Sequence, residues 1–384
     1  MKKILSILGV IVSLGLNAQT TTDGSITHNG GTRTYKIYVP ASYDGSEDVP
    51  LVLNLHGLGS NNNEQLLYGD FRPIADTANF IILLPQGLPN QFNQQNHWNA
   101  NFGTGVQDID FLSKLIDSIA ADYSIDLDRV YSTGMSNGGY MSITLAGQLS
   151  DKITAVASVT GTMTGLQIPA NTVSRPMPVM QIHGDADPVV TYNGSVNPLG
   201  SSISVDSLLN YWIEHNNCST TAVVTPVTDV NTTDGCTATR YDYLNGENGA
   251  EVVHYKITGG GHTWPGAFAL SGKVTNQDFD ASTEIWKFFS KYTKTALVSV
   301  KEIIAENNWI KINSENPSSG IIKLMASNTE LYSISVFNLE GRLIETQLNN
   351  SGEATLNLSN FSNGNYLIKA FSENKEAVLR VVKQ

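Results

Sequence analysis

The feature that most constrains this chain is the sequence GMSNGG at residues 134–139. It follows an apolar run at 129–133, which reads as a strand, and it precedes a segment of helical character. Small residues on both sides of a serine permit a tight strand-to-helix turn, because the backbones can then approach closely. Such a turn exposes the serine hydroxyl and aims the next amide at a developing oxyanion. The pattern therefore predicts a nucleophilic Ser136 and an oxyanion-binding amide at Asn137.

Two later segments supply candidates for the base and the acid that such a serine needs. Residues 178–190 read as a buried strand followed by an acidic turn, and residues 252–266 read as a strand followed by a glycine-rich loop. In α/β-hydrolases the order along the chain is serine, acid, histidine. We predict His262 as the base, because it is the histidine that lies on a glycine-rich loop after a late strand.

Two aspartates compete for the role of the acid. Asp187 precedes Pro188, which favours an extended conformation and fixes the turn. Asp185 is the more typical turn residue, which bonds to its own local backbone. We therefore predict Asp187 as the acid. His183 and His254 lie inside apolar runs and are predicted to be core histidines with satisfied hydrogen bonds.

A second glycine loop, HGLG at residues 56–59, follows a buried-strand pattern. In a serine hydrolase a loop at this place supplies the other oxyanion amide, which here is that of Leu58. The sequence contains no histidine pair at i and i+4 with a glutamate and no cysteine cluster. Neither a metal nor a cofactor is predicted.

Strand and helix patterns alternate through the first part of the chain. The predicted strands are 34–39, 51–55 and 80–84, and the predicted helices are 64–79, 106–123 and 139–149. This alternation predicts an α/β fold of the α/β-hydrolase type, with a mostly parallel sheet and helices on both faces. The loops of Ser136, Asp187 and His262 should then lie together at the carboxyl edge of the sheet.

Four motifs together resemble the secreted polyhydroxybutyrate depolymerase and feruloyl esterase group of α/β-hydrolases, related to carbohydrate esterase family 1. The motifs are LHG at 55–57, GMSNGG at 134–139, HGDADP at 183–188 and GHTWPG at 261–266, within a similarity that spans about 30–292. The resemblance implies that Ser136 is the nucleophile, Asp187 the orienting acid and His262 the base. It also implies that Leu58 and Asn137 are the oxyanion donors.

Substrate contacts are expected from loops. We expect the acyl pocket to be built by loops that include about 88–106 and 162–176, and we name Trp98 and Trp264 as candidate substrate-binding residues. Either indole can stack on an aromatic acyl group or on a sugar, and either can equally be a packing residue.

The ends of the chain predict export. Residues 1–18 have a positive start, a short apolar run and a small residue at the end, which is typical of a signal peptide. Residues 19–293 then form the predicted catalytic domain. Residues 299–384 contain short alternating runs separated by turn clusters, which predict a small β-sandwich.

Three pieces of the tail resemble the C-terminal sorting domain of the type IX secretion system. They are NPSSG at 316–320, VFNLEGRL at 336–343 and VLRVVKQ at 378–384. The resemblance implies that the type IX machinery is a partner and that the protein is secreted, at the cell surface or outside the cell. The rival interpretation, a carbohydrate-binding module, usually presents an aromatic platform, and the few aromatic residues here fall mostly at expected core positions.

The chain has two cysteines, Cys218 and Cys236. Export to an oxidising compartment makes a disulfide the default for an even pair without metal partners, so we predict that these two residues are bonded.

Charge argues against nucleic acid as a partner, and hydropathy argues against a transmembrane segment. The formal net charge is −12 and no basic run occurs, so nucleic acid is not a predicted partner. No segment after the signal approaches 18 uninterrupted apolar residues, so no transmembrane segment is predicted.

The resulting hypothesis is a secreted serine carboxylesterase that acts through an acyl-enzyme, with feruloyl or acetyl esters of plant polysaccharide as substrates. A polyhydroxybutyrate or other polyester is the second substrate class, and a serine peptidase of similar fold is the third possibility. The non-enzyme alternative is a surface protein that keeps the scaffold without the chemistry.

Overall fold

The computed structural model describes most of the chain in two compact units, Met1–Val298 and Ser299–Gln384. The predicted signal peptide at 1–18 lies outside the described residues. Those residues are 19–91, 93–100, 103, 105–165, 173–197, 200–269, 271–297, 309–314, 316–327, 331–338, 343–372 and 376–383.

Fourteen strands, seven helices and one 3-10 turn (Glu247–Gly249) are described in the first unit. The strands are β1 (Thr20–His28), β2 (Gly31–Val39), β3 (Val49–Leu55), β4 (Ile81–Pro85), β5 (Leu88–Pro89), β6 (Asn96–His97), β7 (Ile125–Met135), β8 (Ala155–Val159), β9 (Val179–Gly184), β10 (Ser195–Asn197), β11 (Gly200–Ser202), β12 (Val223–Pro226), β13 (Thr237–Tyr243) and β14 (Val252–Thr258). The helices are α1 (Asn62–Tyr68), α2 (Arg72–Ala78), α3 (Asp108–Asp122), α4 (Asn137–Gln148), α5 (Val205–His215), α6 (Ala281–Phe289) and α7 (Lys294–Leu297).

Ten of these strands form one sheet, in the order β1-β2-β4-β3-β7-β8-β9-β14-β13-β12. The six central strands from β4 to β14 are parallel, and the two strands at each edge are antiparallel. The carboxyl ends of the parallel strands therefore meet at one edge, where α/β proteins bind their ligands.

Side chains of the central strands alternate between two cores. On β3, Leu51 and Leu53 pack into a core with helices α3, α4 and α5, whereas Val52 packs into a core with α1, α2 and α6. All three side chains are fully buried. Both faces of the sheet are thus covered by helices, and the predicted α/β-hydrolase fold with its mostly parallel sheet is confirmed.

One predicted helix is wrong. The segment 64–79 forms two short helices, α1 and α2, rather than one. Gly69 ends α1, and its amide donates a hydrogen bond to the Gln65 carbonyl. Pro73 lies in the first turn of α2, where its missing N–H costs nothing, whereas in a helix interior it would remove a hydrogen bond and clash with the preceding turn.

The second unit is built from short antiparallel strands. Its strands are β15 (Ile310–Ile312), β16 (Ile321–Ala326), β17 (Tyr332–Asn338), β18 (Leu343–Asn350), β19 (Glu353–Asn357), β20 (Gly364–Phe371) and β21 (Glu376–Lys383). They form a three-stranded sheet, β15-β16-β19, and a four-stranded sheet, β18-β17-β20-β21. Alternate residues such as Leu324, Val336 and Ile368 fill one shared core, which confirms the predicted β-sandwich. Residues 339–342 of the second tail motif lie outside the described residues.

The predicted disulfide is wrong. Cys218 and Cys236 are both free and buried. Cys218 belongs to the core on one face of the large sheet, and Cys236 belongs to the core on the other face. A disulfide needs Cβ atoms about 3.5–4.5 Å apart, and side chains that enter cores on opposite faces of a sheet point away from each other. Burial raises the pKa of both thiols to about 11, so neither is a reactive thiolate.

None of the helices in the described residues combines the length and the apolar character needed to cross a membrane.

Alkylation of the denatured chain tests the state of the cysteines. We expect the unreduced protein, unfolded in guanidinium chloride, to take up two carbamidomethyl groups from iodoacetamide, one on each free thiol. The measurement is intact mass, and the control is the same sample treated first with a reductant, which should give the same mass. Uptake only after reduction would show that the cysteines are bonded.

Candidate active site

The site begins at a strained turn between β7 and α4. Ser136 has φ 55° and ψ −119°, a positive φ that is rare for a residue with a side chain. Its amide donates to the Val159 carbonyl at 2.8 Å, which ties the turn to β8. Strain of this kind persists only where the surroundings impose it, and it is concentrated at functional sites. The predicted strand-turn-helix context of the serine is therefore present.

Two glycines allow this turn to press against the end of β3. A Cβ added to Gly134 would lie 2.5 Å from the Leu55 carbonyl oxygen, and one added to Gly138 would lie 2.1 Å from the same atom. Both distances are far shorter than any real Cβ contact. The backbone approach that brings Ser136 beside the loop after β3 thus depends on the absence of side chains at these positions.

Asp187 and His262 meet at the carboxyl ends of β9 and β14. The His262 Nδ1 lies 2.7 Å from Asp187 Oδ2. The other carboxylate oxygen accepts hydrogen bonds from the amides of Val189 at 2.8 Å and Val190 at 2.9 Å. Although burial of Asp187 opposes ionisation, the hydrogen bond and charge of His262 and the Val189 amide outweigh it and lower the carboxyl pKa.

Asp185, the other candidate acid, has different partners. Its Oδ1 accepts a hydrogen bond from the Gly259 amide at 2.8 Å, and its Oδ2 lies 3.6 Å from the Lys256 ammonium group. These contacts join the turn after β9 to the loop after β14. The structure therefore brings Asp187, and not Asp185, to His262.

A buried histidine lies behind the Asp187 carboxylate, a contact that no sequence pattern predicted. His183 Nδ1 lies 2.9 Å from the Gln181 amide nitrogen, so Nδ1 is the acceptor and Nε2 carries the proton. That Nε2 donates to the Val190 carbonyl at 2.8 Å and lies 3.6 Å from Asp187 Oδ2. Burial lowers the pKa of His183, which favours the neutral form of the ring.

The predicted core histidines are confirmed. His254 is buried, with Nδ1 at 2.9 Å from the Gln181 carbonyl and Nε2 at 3.0 Å from the Tyr192 hydroxyl. Burial lowers the pKa of His254 to about 3. His183 has both ring nitrogens paired in the same way.

The loop after β3 lies against the serine turn. His56 is fully buried, its Nδ1 is 2.8 Å from the Gly57 carbonyl, and its Nε2 accepts the Gly87 amide at 3.0 Å. Burial lowers the pKa of His56 to about 4, so the ring is neutral. Among the residues that the structure describes, the amides of Leu58 and Asn137 have no protein acceptor. Both remain available to a ligand.

A cavity of about 250 Å³ opens beside the serine. Its walls come from the loop after β3, helix α1, the serine turn and the loop after β14, and they are mainly apolar. The lining residues are Gly57, Leu58, Ser60, Glu64, Tyr68, Met135, Ser136, His262, Thr263, Trp264, Ala267, Phe268 and Thr275. In the described part of the chain, the predicted pocket loops 88–106 and 162–176 contribute no residue to this cavity.

The two candidate tryptophans differ in position. Trp264 lines the cavity, although it is almost wholly buried and its Nε1 donates to Ser282 at 3.2 Å. Trp98 is fully buried and does not line the cavity; its indole donates to the His56 carbonyl at 2.9 Å. Of the two roles left open for Trp98, its full burial favours packing over contact with substrate.

The described residues contain no group of three or more His, Cys, Asp or Glu side chains arranged to hold a metal ion.

A mostly parallel sheet, a strained serine turn and an Asp–His pair at its carboxyl edge define the first unit as an α/β-hydrolase domain. Residues 33–207 match the family described as esterase PHB depolymerase. Residues 316–384 match the secretion system C-terminal sorting domain. These two matches, one in each unit, confirm both resemblances and the predicted export of the protein.

Three curated relatives are similar in identity to this chain but differ in how much of each protein is covered. A bifunctional acetylxylan esterase/xylanase from Neocallimastix patriciarum is 26% identical over 291 residues, which cover 76% of this chain and 37% of that protein. Feruloyl esterase D from Neurospora crassa is 26% identical over 290 residues, with 72% and 87% covered. Feruloyl esterase C from Emericella nidulans is 27% identical over 222 residues, with 56% and 73% covered. The chain thus spans little more than a third of the bifunctional relative.

Substitution of Gly138 tests the close approach of the serine turn to β3. Gly138→Ala forces the new methyl group onto the Leu55 carbonyl, so we expect the free energy of unfolding to fall by about 1–3 kcal/mol. Urea unfolding measures this. The control is Gly31→Ala, because the nearest atom to a Cβ there is at 3.7 Å. Equal stability of the two variants would contradict the analysis.

The buried neutral histidines predict a pH dependence of stability. His56 and His254 have native pKa values of about 4 and 3, below the value of about 6.5 in an unfolded chain. Their contribution to stability is therefore complete above pH 6.5 and is lost as the pH falls towards the native pKa values, because only the unfolded chain binds the protons. Each proton contributes a slope of about 1.4 kcal/mol per pH unit.

Urea unfolding at several pH values measures this slope. We expect His254→Gln to reduce it by about one proton, because one buried imidazole is removed. This pH dependence should begin at about pH 6.5, where histidines of the unfolded chain start to bind protons. A free energy of unfolding that stays constant from there down to about pH 4.5 would contradict the low native pKa values of His56 and His254.

Proposed function

We propose that the protein is a secreted serine carboxylic-ester hydrolase that works through an acyl-enzyme. The observation that carries the proposal is that Ser136, His262 and Leu58 line the same cavity. On the far side of its ring, His262 is hydrogen-bonded to Asp187. A nucleophile, a base held by a carboxylate, and free amides beside the nucleophile are the parts that acyl transfer requires.

In the first half of the reaction, Ser136 Oγ attacks the ester carbonyl carbon and its proton passes to His262. Since His262 Nδ1 is bound to Asp187, Nε2 is the nitrogen that accepts this proton. The amides of Leu58 and Asn137 donate hydrogen bonds to the negative oxygen that forms. The C–O bond to the leaving alcohol then breaks, and the alcohol takes the proton from His262.

In the second half, water replaces the alcohol. His262 takes a proton from water, the hydroxyl attacks the acyl-enzyme carbonyl, and the same two amides stabilise the second oxyanion. The bond to Ser136 Oγ breaks, the serine recovers its proton from His262, and the free acid leaves. Asp187 remains ionised throughout, in line with the lowered pKa of its carboxyl group.

The favoured substrates are feruloyl or acetyl esters of plant polysaccharide. The relatives named above include feruloyl esterases and an acetylxylan esterase. The cavity wall also suits an acyl group of modest size, because Trp264 and the exposed Phe268 present apolar surface beside the serine. A polyhydroxybutyrate polyester is the second candidate, since the matched family is described as a PHB depolymerase esterase.

The sorting domain gives this activity an extracellular setting. A signal peptide at 1–18 starts export, and the domain at 316–384 is the part that the type IX secretion machinery recognises. An enzyme that acts on insoluble polysaccharide or polyester has to meet its substrate outside the cell, which agrees with this arrangement.

Removal of the nucleophile tests the proposal. We expect the purified protein to hydrolyse p-nitrophenyl acetate and Ser136→Ala to lower kcat by about 10⁶-fold, because no acyl-enzyme can form. The matched control is Ser42→Ala, at an exposed serine that bonds to Asn79. Unchanged activity in Ser136→Ala would refute the mechanism.

The substrate class is decided by parallel assays of methyl ferulate, acetylated xylan, a polyhydroxybutyrate film and casein. Turnover of the first two is expected. Hydrolysis of casein alone would identify a peptidase and refute the esterase proposal.

A further inference from the structure

Residues 96–99, here named the strap, bond to both loops that hold the proposed oxyanion amides. The strap begins in β6, which pairs with β5 through Leu88–His97 and Pro89–Asn96. No step of the proposed reaction passes through it, and its central residue, Trp98, is fully buried. Its contribution must lie in the backbone groups that it holds.

The strap fixes the first loop on both sides of Leu58. On one side, Trp98 Nε1 donates to the His56 carbonyl at 2.9 Å. On the other side, the Gly59 amide donates to the Asn96 carbonyl at 2.8 Å, and the Asn96 side chain donates to the Ser60 carbonyl at 2.9 Å. The peptide groups next to the Leu58 amide are therefore held in place, which limits the directions in which that amide can point.

The strap fixes the second donor through a side chain. The Trp98 amide donates to Asn137 Oδ1 at 2.6 Å, and Asn137 Nδ2 donates to the Trp98 carbonyl at 3.0 Å. This pair of bonds resembles one rung of a β-ladder, and it is buried. It anchors the residue whose own backbone amide is the second oxyanion donor.

A buried ion pair holds the strap itself. The Asn99 amide donates to Asp108 Oδ2 at 2.8 Å, and Asp108 Oδ1 lies 2.7 Å from the Arg33 guanidinium. Both charged side chains are almost fully buried, and the guanidinium also lies 3.8 Å from the Phe111 ring centre. The strap is thus fastened to the start of helix α3, outside the catalytic loops.

We propose that the strap sets the spacing and direction of the Leu58 and Asn137 amides, and that Trp98 is a positioning residue for the oxyanion hole. The inference rests on the proposed function. Two amides stabilise an oxyanion only if both point at the same oxygen, and a misplacement of about 1 Å can cost about 10²-fold in rate. One short segment that bonds to both donors meets this requirement.

The test compares two tryptophan variants. Trp98→Phe keeps an aromatic ring and removes the hydrogen bond to His56. The matched control is Trp212→Phe, because Trp212 is also fully buried and its Nε1 has no partner in the described residues. We expect Trp98→Phe to lower kcat by about 10- to 100-fold with KM within about twofold, and Trp212→Phe to leave kcat unchanged.

The affinity for a trifluoromethyl ketone distinguishes a positioning role of Trp98 from a merely structural one. It forms an anionic hemiketal with the serine, and its affinity should fall in Trp98→Phe by the same factor as kcat/KM. Asn137→Ala keeps its backbone amide but loses both bonds to the strap, and it should show the same parallel loss.

Three results would overturn the inference: unchanged kcat in Trp98→Phe, an equal loss of kcat in Trp212→Phe, or a lower kcat with unchanged affinity for the ketone. If Trp98→Phe does not fold, Asn137→Ala decides by the same criteria. A wild-type protein that binds the ketone but hydrolyses no ester would refute the proposed function alone, because the affinities of the variants for the ketone still test the strap.

Discussion

The contact on which the rest of the site depends is the backbone approach between the serine turn and the end of β3. Gly138 lies so close to the Leu55 carbonyl that no side chain fits between them. This approach sets the distance between the two loops that carry the proposed oxyanion amides. It also explains the positive φ of Ser136, since the chain must reverse sharply to enter α4 while it remains in contact with β3. The placement of the hydroxyl and of the two amides follows from this one steric condition.

The parallel strands supply the second condition, because they bring the loops of the site together at one edge of the sheet. The loops after β3, β7, β9 and β14 are far apart in sequence, but each follows the carboxyl end of a strand in the same parallel set. The sheet therefore collects Ser136, Asp187 and His262 at one edge without any local sequence signal that links them. The hydrogen bond between Asp187 and His262 joins two of these loops across 75 positions of sequence.

Much of this arrangement could be predicted because it has local signatures. The serine turn needs glycines, the proposed acid precedes a proline, and the proposed base follows glycines, so each can be found in a short window of sequence. The α/β class follows from alternating strand and helix patterns. The short helices α1 and α2 were predicted as one because a proline in the first turn of a new helix and a proline that breaks a helix look alike in sequence.

What could not be predicted depends on which face of the sheet, or which neighbour, a residue meets. Trp98 is a large aromatic residue in a loop, and only its contacts with His56 and Asn137 reveal that it is enclosed rather than open to substrate. The link between His183 and the Asp187 carboxylate likewise exists only in three dimensions. The expected oxidising compartment and the even number of cysteines favoured a disulfide between Cys218 and Cys236. Neither argument could show that the two side chains lie in cores on opposite faces of the sheet.

That separation has a consequence for how the protein matures. Because the cysteines serve the two cores as small buried side chains, the first unit contains no covalent cross-link that must form before the fold is complete. Disulfide formation by a thiol oxidase is therefore no step in reaching the structure described for this unit.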